Sequence, residues 1–426
     1  MKSIAKLFGP AIIVSAVVLG PGSILTCSKV GAIFGWWGIP VLVISSILLI
    51  AMVALASRIG VVYDGSPGDE LARRWGRPAT IAIGVVLFTL IALFQSSNNI
   101  AVVGAIEPLL NVEQLPAAWR VTILVAINAV VIVCLYYLRD LYHQVEWLMK
   151  VMVGGMTIAF VCNFILVASS RRPTSSMQVQ TVGSGAFTEI DSTLTSADWF
   201  ALLGMVATTF SVAGAFYQAY LVREKGWTVA DTRRGVMDSL AGIAALAVVC
   251  IVILSTAALV FYQTPPSKDL TSIGSIARML EPLFGVGSKW IFCLGILAGG
   301  ASSFLVNALI GGTILSDTLG RGSRLSQPWP LHLTTAALLV GMSVAIASLV
   351  RENSTVLLIT IAQSLTVLGI PALAASLLYL GTRQELTGPR RIPAWILRTA
   401  ALGFIVSLGL AALTTWKILT GLAGSG

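Results

Sequence analysis

The chain has 426 residues, of which 56% are hydrophobic and 11% are charged, and its formal net charge at pH 7 is +9. This composition is too apolar for a water-soluble domain of this length, and the apolar runs recur along the whole chain instead of forming one removable leader. It predicts an all-α polytopic membrane protein. The Lys and Arg residues lie between apolar runs, where they indicate membrane topology and not a nucleic-acid partner.

About eleven apolar segments are long enough to cross a bilayer, which takes about 20 residues. They lie near residues 9–34, 38–60, 79–107, 119–138, 146–169, 198–222, 236–262, 287–316, 332–350, 354–382 and 393–419. A cytoplasmic N-terminus puts most Lys and Arg on the inner side, although Arg171 and Arg172 oppose this orientation. We therefore expect a multi-pass protein of the cell (plasma) membrane with an external C-terminus.

The polar stretch 171–197 divides these spans into two halves. We expect a first repeat at 1–170 (spans one to five), an external loop at 171–197, a second repeat at 198–382 (spans six to ten) and an eleventh span within 383–426. Polar helix candidates at 67–75 and 275–281 follow the second and seventh spans, on opposite sides of the membrane. Two five-span repeats of inverted orientation are a recurrent plan of secondary transporters.

The first span contains a helix-breaking motif in its middle, Gly20, Pro21, Gly22 and Ser23. Two glycines around a proline lower helix propensity and remove a backbone donor, so the helix should break and expose peptide groups to a polar cavity. A simple kink is the alternative.

The sixth span opens the second half, so an inverted repeat predicts a matching break there. Its centre holds Thr208, Thr209, Ser211 and Gly214, without a proline. Small and hydroxyl residues also serve as contacts between membrane helices, which is the alternative interpretation. Together the two spans indicate paired half-helices around a site near the membrane midplane.

Polar residues recur in three more spans: Gln95, Ser96, Ser97, Asn98 and Asn99 in the third, Asn307 in the eighth, and Gln363, Ser364 and Thr366 in the tenth. Single amides in a helix bundle commonly form interhelical hydrogen bonds. Since consecutive residues point around a helix, only about two of the five in the third span can face a pathway.

Cysteines and histidines give no sign of a metal centre, a disulfide framework or a catalytic site. The five cysteines lie in apolar runs without Cys-x-x-Cys spacing, and His143 and His332 lie near span ends. A membrane enzyme would need a nucleophile held beside a base, which is not evident here, so we expect no enzyme and no cofactor. A sensor or scaffold is a further alternative and predicts no cavity across the midplane.

Three stretches carry a resemblance to a known family: Gly20-Pro21-Gly22-Ser23, residues 57–62 leading to 69–72, and Ala362-Gln363-Ser364 followed by Gly369-Ile370-Pro371. These motifs resemble those of the Nramp family of divalent metal transporters, and the similarity extends over nearly the whole chain. Residues 216–227 and 307–313 look closer to the Nramp-related magnesium transporter branch. The resemblance implies a LeuT-type 5+5 inverted repeat in which helices 1 and 6 are broken.

The chain departs from the family at its metal site and proton route. The family's first-span Asp and Asn are replaced by Gly20 and Ser23, its sixth-span Met-Pro-His by Ser211, Val212 and Ala213, a second histidine by Gln218, and the third-span acids by Asn98 and Ala101. Every alignable ionisable position in the transport path is therefore neutral.

A bare divalent cation at the midplane needs anionic oxygen ligands or retained water. Without a carboxylate, the exposed N–H groups of the outer half-helix favour an anion, and we predict a small oxyanion such as bicarbonate or a short carboxylate as the substrate. The alternative is a largely hydrated Mg²⁺ or Mn²⁺ carried without proton coupling. A sodium site built from backbone carbonyls and hydroxyls is an alternative to uncoupled transport.

The candidate substrate-binding residues are Gly20, Pro21, Gly22, Ser23, Thr26, Asn98, Thr209, Ser211, Ala213, Gly214, Gln218 and Gln363. Lys29 is a candidate for the outer vestibule, and snorkelling to the interface is its alternative role. We expect no resident metal ion. The expected partners are a small ion and the lipid bilayer, with no nucleic acid and a single copy of the chain.

Overall fold

The computed structural model describes residues 9–112, 114–137, 140–169, 196–262, 286–350 and 355–423. The regular structure of these residues is helical. The α-helices are α1 (Ala11–Val18), α2 (Pro21–Phe34), α3 (Gly38–Val62), α4 (Pro67–Trp75), α5 (Arg77–Leu109), α6 (Ala117–Tyr137), α7 (Leu141–Ser169), α8 (Ser196–Thr209), α9 (Val212–Glu224), α10 (Thr232–Phe261), α11 (Val286–Thr318), α12 (Pro328–Val350), α13 (Thr355–Gly381) and α14 (Ala394–Ala423).

The predicted spans agree with these helices. The first and sixth spans are the pairs α1–α2 and α8–α9, and each of the other nine is a single helix. Nine helical stretches in the described residues meet the length and hydropathy expected of a membrane span, and a shorter apolar helix, Val367–Gly381, joins them. One of the nine, Pro21–Val62, contains both α2 and α3, which a 3₁₀ turn at Gly35–Trp37 connects.

The short polar helix α4 begins and ends where its residues predict. The hydroxyl of Ser66 accepts from the backbone N–H of Asp69, Pro67 occupies the first turn, and Gly76 ends the helix with φ of +84°. A capping hydroxyl and a proline favour a helix start, and a glycine tolerates positive φ. Its predicted counterpart at 275–281 lies outside the described residues.

The packing of the helices agrees with a twofold repeat of five spans. Helix α2, in the first span, packs on α10, the seventh span, and α9, in the sixth span, packs on α3, the second span. The two contacts are equivalent if the first span corresponds to the sixth and the second to the seventh. Glycines allow both contacts: a Cβ on Gly31 would lie 2.3 Å from the carbonyl oxygen of Leu254, and one on Gly60 would lie 2.3 Å from that of Ala219. Small residues let membrane helices approach closely, so both half-helices are held firmly.

The outer surface of the bundle is apolar, as a lipid-facing surface requires. Large side chains such as Ile44, Trp147, Ile158 and Ile405 are exposed on α3, α7 and α14. By contrast, every residue of α1 is buried. The broken first span therefore lies at the centre of the molecule.

Candidate functional site

The first span is interrupted at Leu19 and Gly20. Helix α1 ends at Val18, and Gly20 has an extended backbone, with φ of −83° and ψ of 176°, before Pro21 begins α2. Because proline has no N–H, the carbonyl of Val17, four residues earlier, has no helical donor. The break lies at the start of the predicted motif, and it leaves backbone carbonyls at the end of α1 and backbone N–H groups at the start of α2.

The sixth span breaks at Phe210 and Ser211 without a proline. Helix α8 ends at Thr209, and Ser211, with φ of −78° and ψ of 88°, caps α9 by accepting a hydrogen bond from the N–H of Gly214 at 3.4 Å. A serine in this position replaces one of the missing helical bonds. The hydroxyls predicted at this break thus include its cap.

The two breaks lie beside each other and flank one cavity. Helix α2 packs on α8, and the hydroxyls of Thr26 and Thr208 are 3.1 Å apart. The cavity has a volume of about 260 Å³. Its lining comes from both broken spans and from α5, α11, α13 and α14, and comprises Val17, Val18, Gly20, Gly22, Ser23, Thr26, Ile91, Phe94, Leu203, Gly204, Ala207, Thr208, Ser211, Val212, Ala213, Ser303, Asn307, Val367, Ile370, Leu410, Leu413 and Thr414.

Half of the predicted binding residues line this cavity. They are Gly20, Gly22, Ser23, Thr26, Ser211 and Ala213. Pro21 and Gly214 lie next to lining residues, in the first turns of α2 and α9. The predicted residues that line the cavity all lie on the two broken spans, at or near their interruptions.

Other predicted residues lie apart from the lining. The amide of Asn98 donates to Oε1 of Gln95 at 2.7 Å, and the amide of Gln218 donates to Oδ2 of Asp238 at 3.3 Å. The hydroxyl of Thr209 is buried without a hydrogen-bond partner among the described residues. Lys29 is half-buried on α2, outside the lining. The side chain of Gln363 lies outside the part of the chain whose side chains are described.

Four polar lining residues were absent from the predicted site: Thr208, Ser303, Asn307 and Thr414. Ser303 packs on Gly20 so closely that a Cβ on Gly20 would lie 2.6 Å from its hydroxyl. Asn307 donates to that hydroxyl at 3.0 Å. Asn307 stood out as a polar residue in an apolar span, but nothing in the local sequence of Ser303 or Thr414 places them beside a break about 280 or more residues earlier.

The cavity is electrically neutral in its side chains. None of its lining residues within the described chain is ionisable. The same described residues contain no cluster of three or more His, Cys, Asp or Glu side chains that could hold a metal ion. An ion here meets only carbonyls, hydroxyls, one amide and the ends of four half-helices.

The buried carboxylates lie elsewhere and are paired with donors. Glu107 pairs with Arg120 at 2.6 Å, and Glu146 pairs with Lys150 at 2.7 Å and with Lys225. Asp317 accepts from the N–H of Gly68 at 2.8 Å. The contacts of Glu107 with Arg120, of Glu146 with Lys225 and of Asp317 with Gly68 connect different helices, whereas the contact of Glu146 with Lys150 lies within α7. None of these carboxylates lines the cavity, and those that connect helices contribute to the packing of the bundle.

One set of such contacts attaches α4 and the end of α3 to the rest of the bundle. Arg74 of α4 bridges Glu70 and Glu385, while the hydroxyl of Tyr63 donates to the carbonyl of Leu380 at 2.8 Å. Burial raises the pKa of Tyr63 to about 12, although the charge of Arg74 opposes the rise, so the phenol keeps its proton. The donor to Leu380 therefore persists across the physiological pH range.

Comparison with known proteins identifies relatives over almost the whole chain. Residues 11–417 match the family Nramp, described as natural resistance-associated macrophage protein-like. The protein "Divalent metal cation transporter MntH" of Xylella fastidiosa strain 9a5c is 24% identical over 426 residues, covering 96% of this chain and 85% of that protein. The protein of the same name from Acidiphilium cryptum is 26% identical over 410 residues, covering 94% of this chain and 88% of that one.

Solved structures show the same fold. The Eremococcus coleocola manganese transporter, in complex with an aromatic bis-isothiourea substituted compound, superimposes with a TM-score of 0.75 at 18% identity, covering 99% of this chain and 88% of that one. A histidine-to-alanine mutant of the same transporter gives a TM-score of 0.74 at 19% identity, with the same coverage. These LeuT-fold neighbours confirm the predicted fold class.

Proposed function

Because the chain belongs to the Nramp family, we propose that it is a membrane transporter which binds a small ion in the cavity between its two broken spans. One observation carries the proposal: the cavity lies where both spans are interrupted. Irregular backbone at membrane depth occurs where it lines a polar cavity, and discontinuous helices near the midplane hold the substrate in many secondary transporters. Alternating exposure of this cavity to the two sides would carry the ion across.

We propose a divalent cation, Mg²⁺ or Mn²⁺, as the first substrate class. The relatives are named as divalent metal cation transporters, and this supports a divalent cation over the oxyanion predicted first. The lining supplies hydroxyls, carbonyls and the amide of Asn307, with no carboxylate, imidazole or thioether among its described residues. Such a set does not offset full dehydration of a divalent ion.

The cation would therefore keep most of its water. A water molecule occupies about 30 Å³ in the liquid. The cavity of about 260 Å³ thus has room for an ion with a first hydration shell. Mg²⁺ releases water reluctantly and is commonly held in this hydrated form.

A small oxyanion is the second substrate class, and one specific observation favours it. The N-terminal turn of α2 contributes Gly22 and Ser23 to a lining with no ionisable side chain among its described residues. Free N–H groups and the positive end of a helix dipole attract anions. Bicarbonate or a short carboxylate would fit this end of the cavity.

Flux into proteoliposomes tests both classes. The purified full-length chain would be given Mn²⁺, Mg²⁺, labelled bicarbonate and labelled formate in turn. Saturable Mn²⁺ or Mg²⁺ uptake supports the first class, and saturable anion uptake without metal uptake replaces it with the second. Absence of flux for all four would contradict the proposal of a transporter for these ions.

A matched pair of glycine variants tests whether the ion passes through this cavity. Gly204 lines the cavity wall on α8, where an added Cβ has only ordinary contact, at 3.6 Å from Thr26. Gly409 on α14 is exposed to the outer surface, with no atom within 4 Å of an added Cβ. We expect Gly204→Leu to abolish the flux and Gly409→Leu to preserve it, because only the first fills the cavity.

We further propose that the protein acts as a single copy in the cell membrane, with its N-terminus and α4 on the cytoplasmic side. The observation that supports this orientation is the group of basic residues at the end of α4 and the start of α5, which includes Arg73, Arg74 and Arg77. Coupling to protons by the family's route is not expected, since Asn98 and Ala101 replace the third-span acids.

A further inference from the structure

A second pocket lies where the first residues of α10 and α14 approach the end of α3. Its volume is about 560 Å³, and it shares no lining residue with the cavity between the broken spans. Small-molecule sites commonly have volumes of about 300–1,000 Å³. The pocket, called the α14 pocket below, is lined by Arg58, Thr232, Gly388, Pro389, Arg391, Ile392, Pro393 and Ala394.

The ionisable side chains of this lining are both arginines, Arg58 and Arg391. Neither forms a salt bridge with a carboxylate in the part of the chain that the structure describes, whereas the neighbouring Arg390 lies 3.9 Å from Asp64. Two positive charges without a counter-charge raise the local electrostatic potential. The α14 pocket is therefore suited to an anion.

The guanidinium of Arg58 is held in place at the pocket wall. Its Nη1 donates to the backbone carbonyl oxygen of Arg391 at 3.1 Å, which ties α3 to the segment before α14. Its Nη2 has no hydrogen-bond partner among the described residues. Arginine presents its donors in a planar fork that matches the oxygens of a phosphate group.

The backbone of the lining adds to this preference for an anion. Helix α10 begins at Thr232 and helix α14 begins at Ala394, and both residues belong to the lining. The first N–H groups of a helix have no helical partner and favour a negative charge. The acid next to this lining is Asp231, whose Oδ2 accepts the backbone N–H of Thr228 at 3.0 Å in its own turn.

The exposed side of α14 indicates that the pocket lies at the membrane surface. Trp395 and Trp416 are 52% and 69% exposed, and Leu402 and Ile405 between them are 57% and 62% exposed. The two tryptophans are separated by about 32 Å at helical rise, close to the thickness of the hydrocarbon core. Tryptophans favour the two membrane interfaces. Ala394, next to Trp395, therefore lies at the level of the lipid headgroups.

We propose that the α14 pocket binds the phosphate of an anionic phospholipid, such as phosphatidylglycerol, whose acyl chains lie along the exposed side of α14. Basic pockets between membrane helices bind anionic headgroups in this way. A zwitterionic lipid such as phosphatidylcholine would bring a second cation beside the unpaired Arg58 and Arg391. A soluble phosphate carries the same charged group without acyl chains to contact α14. This lipid site lies outside the transport cavity and does not rest on the proposed function.

Thermal unfolding of the purified full-length protein in a neutral detergent tests the proposal. Phosphatidylglycerol and phosphatidylcholine are added at equal mole fractions, and inorganic phosphate and glycerol 3-phosphate are added without lipid. A ligand that binds the folded state raises the unfolding temperature in a saturable way. We expect saturation by phosphatidylglycerol at a mole fraction at least tenfold lower than by phosphatidylcholine. Equal effects of the two lipids would overturn the proposal, and a full shift with phosphate alone would overturn the assignment to a lipid.

Glutamine variants locate the site. The side chain of Arg391 forms no hydrogen bond with another described residue, so Arg391→Gln should fold as the wild type does. We expect Arg391→Gln and Arg58→Gln to need at least tenfold more phosphatidylglycerol for a half-maximal shift. The control is Arg321→Gln, because Arg321 is exposed, stacks on Trp329 at 5.1 Å and lies outside the lining. Two spans separate Arg321 from the α14 pocket, so both lie on the same side of the membrane.

Native mass spectrometry counts the bound lipid on folded protein alone, so a change of stability does not affect it. We expect phosphatidylglycerol to remain on the wild type and on Arg321→Gln and to be lost from Arg391→Gln. Equal occupancy of Arg391→Gln and the wild type, or an equal loss from Arg321→Gln, would overturn the proposal. If the lipid binds as expected and none of the four tested ions is transported, the lipid site stands and the proposed function fails.

Discussion

Asp238 of α10 holds the start of the first broken span, and its substitution should release that segment. Its carboxylate accepts the backbone N–H of Gly9 at 2.6 Å and that of Ala11 at 2.9 Å. The amide of Gln218 approaches the same carboxylate at 3.3 Å, so α9 shares the contact. Asp238 is 2% exposed, and the contact is therefore shielded from water.

Asp238→Asn replaces one accepting oxygen by an NH₂ group that can only donate. One of the two backbone N–H groups then loses its partner and faces another donor. Hydrogen bonds to a charged group contribute about 1.5–3 kcal/mol each. A loss of about 2 kcal/mol corresponds to a roughly 30-fold shift toward the state in which the N-terminal half-helix α1 is released.

Hydrogen–deuterium exchange of the peptide containing residues 9–18 measures this shift, because exchange rates follow local opening. We expect exchange about 30-fold faster in Asp238→Asn than in the wild type. The control is Ser239→Ala, since the neighbouring Ser239 is buried and bonds to Gly235 of its own helix at 2.8 Å. Equal exchange in Asp238→Asn and the wild type, or equal acceleration by Ser239→Ala, would refute the role given to Asp238.

Three further substitutions test other contacts through thermal or chemical unfolding. Gly20→Asp should destabilise the fold by about 1–3 kcal/mol through overpacking against Ser303, and adding Ser303→Gly should recover part of the loss; an unaffected single variant would contradict the close approach. Asp317→Asn should cost about 2 kcal/mol and make α4 easier to cleave by protease, since Asp317 accepts the N–H of Gly68; unchanged cleavage would argue against this anchor. Glu146→Gln should cost about 1–3 kcal/mol, because it leaves Lys150 without its buried counter-charge, and a wild-type unfolding midpoint would show that the pair is dispensable.

The sequence predicted those features of the site that depend on local chemistry. The first span is interrupted at the Gly-Pro-Gly motif, as expected, because proline and glycine affect the backbone conformation at their own positions. Helix α4 likewise follows from Ser66, Pro67 and Gly76, which cap or end it locally. The break in the sixth span needed the repeat as a second argument, since Ser211 alone is compatible with a continuous helix.

Contacts between distant segments were beyond the reach of the sequence. The polar run in the third span predicted residues facing a pathway, but these amides form hydrogen bonds within the packed bundle instead. Gln95 donates to the carbonyl of Phe304 at 2.5 Å, and Asn99 donates to the carbonyl of Gln95 at 2.8 Å. The sequence pattern shows that such side chains lie on one helix, but it does not show which neighbouring helix they contact. The same reason hid Ser303, whose importance appears only when α11 is packed on Gly20.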